Sequence, residues 1–336
     1  MDAGVMGGGH AAGILQDRIT PVVTICCDGR QPWPIAQPYA ANKESMPMPL
    51  QCLPCLDSEQ LAETHQRTLR LAREDAAALG HSALQAIHDG SYSDQQGRSV
   101  DWRGAIQHAL ALRASIPPEE PLPQADRVAV SATRVQVANE TTLAAAERLT
   151  RAGCTAVLAL NFANGIQPGG GFLHGARAQE EVLCRSSALY ATLHGDPMYE
   201  AHRQRPLPDS TDWAIYSPLV PVFRQDDGRP LDAPWPLSFV TCAAPYAAKV
   251  GQPRAGDLLH QRIRRVLAIA HAMGHDALVL GAWGCGAFGN DPKRTAQSFR
   301  VILEEEFPTA FDAVVFAVTD WSPQRTTLGP FREVLR

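Results

Sequence analysis

The chain has no stretch near the roughly 18 consecutive apolar residues that a membrane-spanning helix needs. Its first residues, Met1 to Ile14, are rich in Gly and Ala but lack the basic start and apolar core of a secretory signal. Positive charge is not in surplus either. Thirty Lys and Arg against 35 Asp and Glu leave a formal net charge of -5, which removes any general electrostatic reason to bind bare nucleic acid. Cys52-Leu53-Pro54-Cys55 has no second Cys-x-x-Cys and no His-x3-His to complete a zinc set, so no metal is expected. The eight cysteines are scattered, and Cys154, Cys184 and Cys242 fall in apolar segments, a pattern of reduced thiols rather than of a disulfide framework. No internal repeat is visible. The expectation is a soluble, cytoplasmic protein that needs no membrane partner.

What is present is a globular composition, 45% apolar over 336 residues, enough for one large domain with an added helical part, or for two domains. Residues 1 to about 60 combine many prolines with one short apolar run, Pro21 to Cys26, and read as an extended or disordered arm. From Thr68 to His88, Leu69, Ala72, Ala76, Leu79, Ala83 and Ile87 recur at helical spacing, predicting one amphipathic helix or two joined near Gly80, ended by Asp89-Gly90. A second helix is expected from about Trp102 to Ala114.

Strands and helices then alternate from Val128 onward. Helix 142–152 is expected with Asn139 or Thr141 as its cap, followed by a buried strand at 155–160 and a helix at 180–193. The segment 213–223, interrupted by Pro218 and Pro221, belongs at a sheet edge or in a loop. Strands at 237–242, 276–281 and 311–318 follow, with helices capped by Asp257 and Asp291 between them. Arg262, Arg264 and Arg265 read as a solvated helix face. Strand, helix, strand in this order implies parallel, right-handed crossovers.

Two glycine-rich connections stand out. The first runs from Asn161 through Asn164, Gly169, Gly170 and Gly171 to Gln179, Glu180 and Glu181, leaving one strand and entering a helix. Three consecutive glycines let backbone N–H groups approach a phosphate or ribose closely. Two adjacent carboxylates exceed what a helix start requires and invite a chemical reading. The amides of Asn161 and Asn164 suit ribose hydroxyls, or equally a turn that satisfies its own backbone. The second connection, Gly284-Cys285-Gly286-Ala287-Phe288-Gly289, also leaves a strand for a helix and suits a pyrophosphate. Neither is followed by the Lys-Ser/Thr of a P-loop. In an open α/β sheet both would gather on the rim outside the carboxyl ends of the strands.

Gly-Gly-Gly, seven residues, then Gln-Glu-Glu resembles the signature of the poly(ADP-ribose) glycohydrolases, and Pro168-Gly169-Gly170-Gly171-Phe172-Leu173 is similar to their microbial, bacterial-type branch. The likeness runs from about Leu61 to the C-terminus. It implies an α/β, three-layer macrodomain-like fold, a mixed sheet flanked by helices with an N-terminal helical extension. On that reading residues 61–124 are the helical lead-in and 125–336 the catalytic domain. It implies Glu181 as general acid and base, Glu180 holding ribose hydroxyls, and Asn161 and Asn164 at the distal ribose. Gly169 to Gly171, Gln179, and Gly284 to Gly289 would bind ligand, Phe288 lying against the ribose. No cofactor is implied. The partners would be poly(ADP-ribose) or ADP-ribosylated proteins, with ADP-ribose as product. Two alternatives stay open: a module of the same fold that binds ADP-ribose without cleaving it, and a hydrolase of mono-ADP-ribosylated targets.

Overall fold

The computed structural model describes residues 50–125 and 129–336. The expected arm up to residue 49, with its apolar run at 21–26, lies outside the described residues, as does Val128.

The chain begins with strand β1 (Gln51–Cys52), helices α1 (Glu59–Leu69) and α2 (Arg73–Asp89), the hairpin β2 (Ser91–Ser93) and β3 (Ser99–Asp101), helix α3 (Arg103–Leu112) and strand β4 (Ala114–Ile116). There follow β5 (Arg134–Ala138), α4 (Thr142–Arg151), β6 (Val157–Ala163), α5 (Gln179–Ser186), α6 (Leu189–Leu193) and α7 (Pro197–Arg203). The remainder is β7 (Ala214–Arg224), β8 (Pro230–Ala243), α8 (Ala247–Val250), α9 (Arg254–Ala272), β9 (Ala277–Leu280), α10 (Pro292–Glu305), β10 (Ala313–Ala317) and α11 (Leu328–Val334).

Eight strands form one mixed sheet in the order β1-β5-β10-β9-β6-β8-β7-β4. The six from β1 to β8 run parallel; β7 and β4 close one edge antiparallel. Period-two alternation sends Val157 and Ala159 to one face and Leu158 and Leu160 to the other, and β9 repeats this. Both faces are buried, so the central strands read as unbroken apolar runs. One face packs on α2 to α6, through residues such as Ala83, Trp102, Leu143 and Leu183. The other packs on α9, α10 and α11, through Ile263, Phe299 and Phe331. This is the expected three-layer arrangement. No described helix is long and apolar enough to cross a membrane.

Several boundaries move. The N-terminal pieces are not separate from the sheet: β1, inside the stretch read as arm, pairs with β5, and β4, inside the lead-in, pairs with β7. Helix α2 passes straight through Gly80, and the break lies at 70–72 instead. Gly80 is needed for packing, because a Cβ there would run into the Phe172 carbonyl oxygen. Residues 129–131 form no strand; β5 starts at Arg134. The expected helix 180–193 is cut at Ser187 into α5 and α6. Thr141 rather than Asn139 caps α4, accepting from Ala144 N–H at 3.1 Å.

Asp257 does not cap α9, which begins three residues earlier; it sits in the first turn and pairs with Arg294. Asp291 and Pro292 open α10 as read. Of the three arginines read as a solvated face of α9, only Arg264 is exposed. Arg262 is fully buried, donating to the carbonyls of Ala243 and Asp209, while Arg264 pairs with Glu306 and Arg265 donates to the carbonyls of Pro117 and Glu120. Charge periodicity cannot separate a wet face from one buried under an incoming loop. The proline-bearing part of β7 runs past the end of β4, whose pairing covers only Ala214 to Tyr216, so Pro218 and Pro221 sit where the outer ladder is absent.

Candidate active site

A cavity of about 880 Å³ lies outside the carboxyl ends of β5, β10, β9, β6 and β8, where an open α/β sheet gathers its loops and helix N-termini. Its wall includes Asn164, Gln179, Glu180 and Glu181 from the first glycine connection and Gly284, Gly286, Ala287 and Phe288 from the second. The two stretches singled out in the sequence therefore face one cleft. Helix α1 closes its outer side with Gln66, Leu69 and Arg70. It is held at one end by Arg325, which meets Asp57 and Glu59, and past the other by Arg177, which donates to the Leu71 carbonyl at 2.6 Å.

The carboxyl pair occupies the first turn of α5, Glu180 3% and Glu181 8% exposed. Glu180 Oε2 accepts from Asn164 N–H at 2.7 Å, and Oε1 from Asn161 Nδ2 at 3.4 Å. Glu181 Oε1 accepts from Gly171 N–H at 2.9 Å, while its Oε2 is buried with no partner among the described residues. Burial, reinforced by the Glu181 charge, outweighs the Asn164 N–H and pushes Glu180 up to about 8 from the ordinary carboxylate range. Burial therefore favours the protonated form of Glu180.

The predicted ligand contacts divide into two groups. Asn161 is fully buried below the cleft, its Nδ2 donating to Glu180 and Thr241 and its Oδ1 without a partner among the described residues, and it does not reach the wall. Gly169, Gly170 and Gly171 also lie off the wall of this cavity. They adopt the bend that brings the loop over the carboxylates, Gly169 and Gly170 at φ of 69° and 55°, and a Cβ on Gly170 would run into Glu181 Oε1. Gln179 reaches the wall with its side chain fully engaged: Oε1 accepts from Phe162 N–H, and Nε2 donates to the Leu160 carbonyl and to Thr142 Oγ1. It ties β6, α4 and α5 together.

Asn164 does both jobs. Its Oδ1 accepts from Ile166 and Gln167 N–H, as a turn former would, while the residue itself lines the cleft. In the second connection Gly286 lines the cleft with nothing within 4 Å of a would-be Cβ, near the start of α10, whereas Gly289 is off the wall and its N–H donates to the Gly286 carbonyl at 3.0 Å. Cys285 turns away toward Thr295 Oγ1 and the Trp283 carbonyl at 3.6 Å, its thiol pushed up to about 12 by burial.

The cleft also holds residues that sequence reasoning did not single out. Trp321, 46% exposed, and Thr319 follow β10; Glu140 and Thr142 follow β5. Asp226, in the β7–β8 turn, accepts from Thr141 Oγ1 at 2.6 Å, leaves Oδ1 unpartnered, and is raised to about 6 by burial. The aromatic beyond the last strand was the only signal available. Asp226-Asp227-Gly228 reads as an ordinary turn.

The family model described as the microbial-type PARG catalytic domain matches residues 80–225. Among solved structures, the poly(ADP-ribose) glycohydrolase of Thermomonospora curvata is 40% identical with a TM-score of 0.74, covering 78% of this chain and 99% of its own. This chain belongs to the microbial-type poly(ADP-ribose) glycohydrolases. The T. curvata enzyme bound to the inhibitor ADP-HPD is 41% identical, with a TM-score of 0.72 and coverage of 77% and 99%. A glycohydrolase of Deinococcus radiodurans in complex with ADP-ribose is 42% identical, with a TM-score of 0.63 and coverage of 70% and 98%. No curated protein sequence matches the chain.

Proposed function

We propose that this glycohydrolase hydrolyses the ribose–ribose O-glycosidic bonds of poly(ADP-ribose) and releases ADP-ribose, with Glu181 as acid and base. The observation that carries the reading is the Glu181 carboxyl: one oxygen is fixed by Gly171 N–H, and the other, unpartnered and buried, belongs to a residue of the cleft wall. The family relatives crystallised with ADP-ribose and with ADP-HPD support the ligand class. A cleft of about 880 Å³ is within the usual range for such ligands.

The diphosphate of the terminal unit lies against the bend Gly284 to Gly289 and the N-terminus of α10, where freed N–H groups and the helix dipole favour negative charge. The ribose lies between Phe288 and Asn164. Glycoside cleavage passes through an oxocarbenium-like state and needs a proton on the departing oxygen. Glu181 donates that proton as the bond from the anomeric carbon to the leaving ribose oxygen breaks. Water then adds to the anomeric carbon and returns a proton to Glu181. Consecutive helix residues point about 100° apart, so the two carboxyls cannot straddle one sugar. Glu180, whose protonated form burial favours, holds and orients a ribose hydroxyl. It also leaves one negative charge instead of two beside the cation. Scattered cysteines support a cytoplasmic setting, with ADP-ribosylated proteins as carriers of the polymer.

The test is digestion of labelled polymer by the native protein and by Glu181→Gln. ADP-ribose release by the native chain, slowed about 10²- to 10⁴-fold in the variant, is expected from loss of a general acid. No release by the native chain, or equal rates, overturns the assignment.

A further inference from the structure

We propose that Arg70 and Arg177 form a second phosphate subsite on the cleft wall, taking a diphosphate of the polymer beyond the terminal unit. The inference rests on the poly(ADP-ribose) reading above. Both residues line the main cavity and both are exposed. Neither has a carboxylate in ion-pair range among the described residues, whereas Arg148 pairs with Glu140 of the cleft wall, Arg294 with Asp257 and Arg325 with Asp57.

Of the two, Arg177 is also held in place. Arg177 Nη1 donates to the Leu71 carbonyl at 2.6 Å, and Arg73 Nε donates to the His174 carbonyl at 2.9 Å, so the α1–α2 turn and the lead-in to α5 are stitched from both sides. Gly175, at φ 76°, lets the strands of this seam touch, since a Cβ there would run into the Arg73 carbonyl. Behind it the buried Arg185 donates to the Ala176 carbonyl at 2.7 Å and adds positive potential to the same corner. A guanidinium with its direction already fixed loses little freedom on meeting a phosphate, and Arg matches that geometry with paired N–H groups.

Position gives the subsite its role. Arg177 lies four residues before Glu181, on the connection that leads into the carboxyl pair. The open glycine bend that would hold the terminal diphosphate comes from β9 and α10 instead. A chain leaving the Glu181 corner carries further diphosphates, and free positive charge beside that corner is where they would be met. A single ADP-ribose has no second diphosphate to place there, so the two arginines favour polymer over the single unit.

The test uses the full chain carrying Glu181→Gln, so that binding is read without turnover. Fluorescently labelled polymer is titrated by anisotropy at low and at physiological salt, and ADP-ribose is titrated by calorimetry. Adding Arg70→Gln and Arg177→Gln together should weaken polymer binding about tenfold or more and flatten its salt dependence, with the ADP-ribose Kd moving less than twofold. Arg177→Lys in place of Arg177→Gln should recover part of the polymer affinity, since the charge returns. Unchanged polymer affinity overturns the subsite. An equal loss for ADP-ribose also overturns it, by placing the arginines on the terminal unit. Failure of the native chain to release ADP-ribose is a separate result and strikes the glycohydrolase reading instead.

Discussion

The two glycine-rich connections look alike in the sequence and differ in what surrounds their glycines. In the first, the glycines face inward: Gly169 packs against Phe172 and Cys184, and Gly170 against both carboxylates, so the missing side chains make room for protein. In the second, Gly284 packs against Asn290 and Ala244, but Gly286 and Gly289 have no protein atom within 4 Å of a would-be Cβ. A triglycine bend that suggests a phosphate cradle is here a carboxylate cradle, with Gly171 N–H bonded to Glu181 rather than left for an anion. Glycine runs report close approach without saying what approaches.

This contrast can be broken experimentally. After Glu181→Gln, the largest effect is expected for Gly170→Ala, whose methyl would displace the Glu181 carboxyl and whose φ of 55° is strained for any L residue. Turnover of polymer should fall about 10²-fold, as a misplaced catalytic group does, and thermal unfolding should show a loss of about 1–2 kcal/mol. A Gly170→Ala enzyme with native kcat would mean that the first connection does not set the carboxylate.

Next comes Glu180→Gln, read by stability against pH. Glu180 is raised to about 8, so between its unfolded value of 4.5 and about 8 the native state keeps a proton that the unfolded state releases. Its contribution is fully present below pH 4.5, falls as pH rises, and is gone above about 8. The variant should therefore be more stable relative to the native chain at pH 9 than at pH 5, by roughly 4 kcal/mol. Equal differences at the two pH values would show Glu180 ionised in the fold.

The smallest effect is expected for Gly286→Ala. With no neighbour within 4 Å, the methyl costs the fold nothing measurable, so Tm should stay put while the ADP-ribose Kd rises about tenfold from a blocked N–H approach. A fall in Tm with unchanged Kd would reverse the contrast.

Much of this arrangement was readable in the letters. The buried run at Val157 to Leu160, the cap and proline at Asp291-Pro292, and the convergence of two loops on one rim all follow from local pattern and from the topology of parallel strands. What escaped depends on distant partners. Arg262 looked solvated because the segment that buries it, through the Asp209 carbonyl, lies 53 residues away. The edge strands β1 and β4 have two and three residues, too few to show a period. Gln179 looked like a ligand contact beside two glutamates. Only the positions of Leu160, Phe162 and Thr142 reveal it as a tie.

The contact between Gly80 and the Phe172 carbonyl has a practical consequence for dissecting the protein. Helix α2 sits against the underside of the loop that carries Gly171, so it sets the height at which that loop meets Glu181. A truncated fragment starting at residue 125, chosen because the alternating strands begin near there, would remove this floor. It would also strip β4 from the sheet edge. The smallest fragment able to turn over substrate should therefore keep the helices that a sequence boundary would invite one to trim.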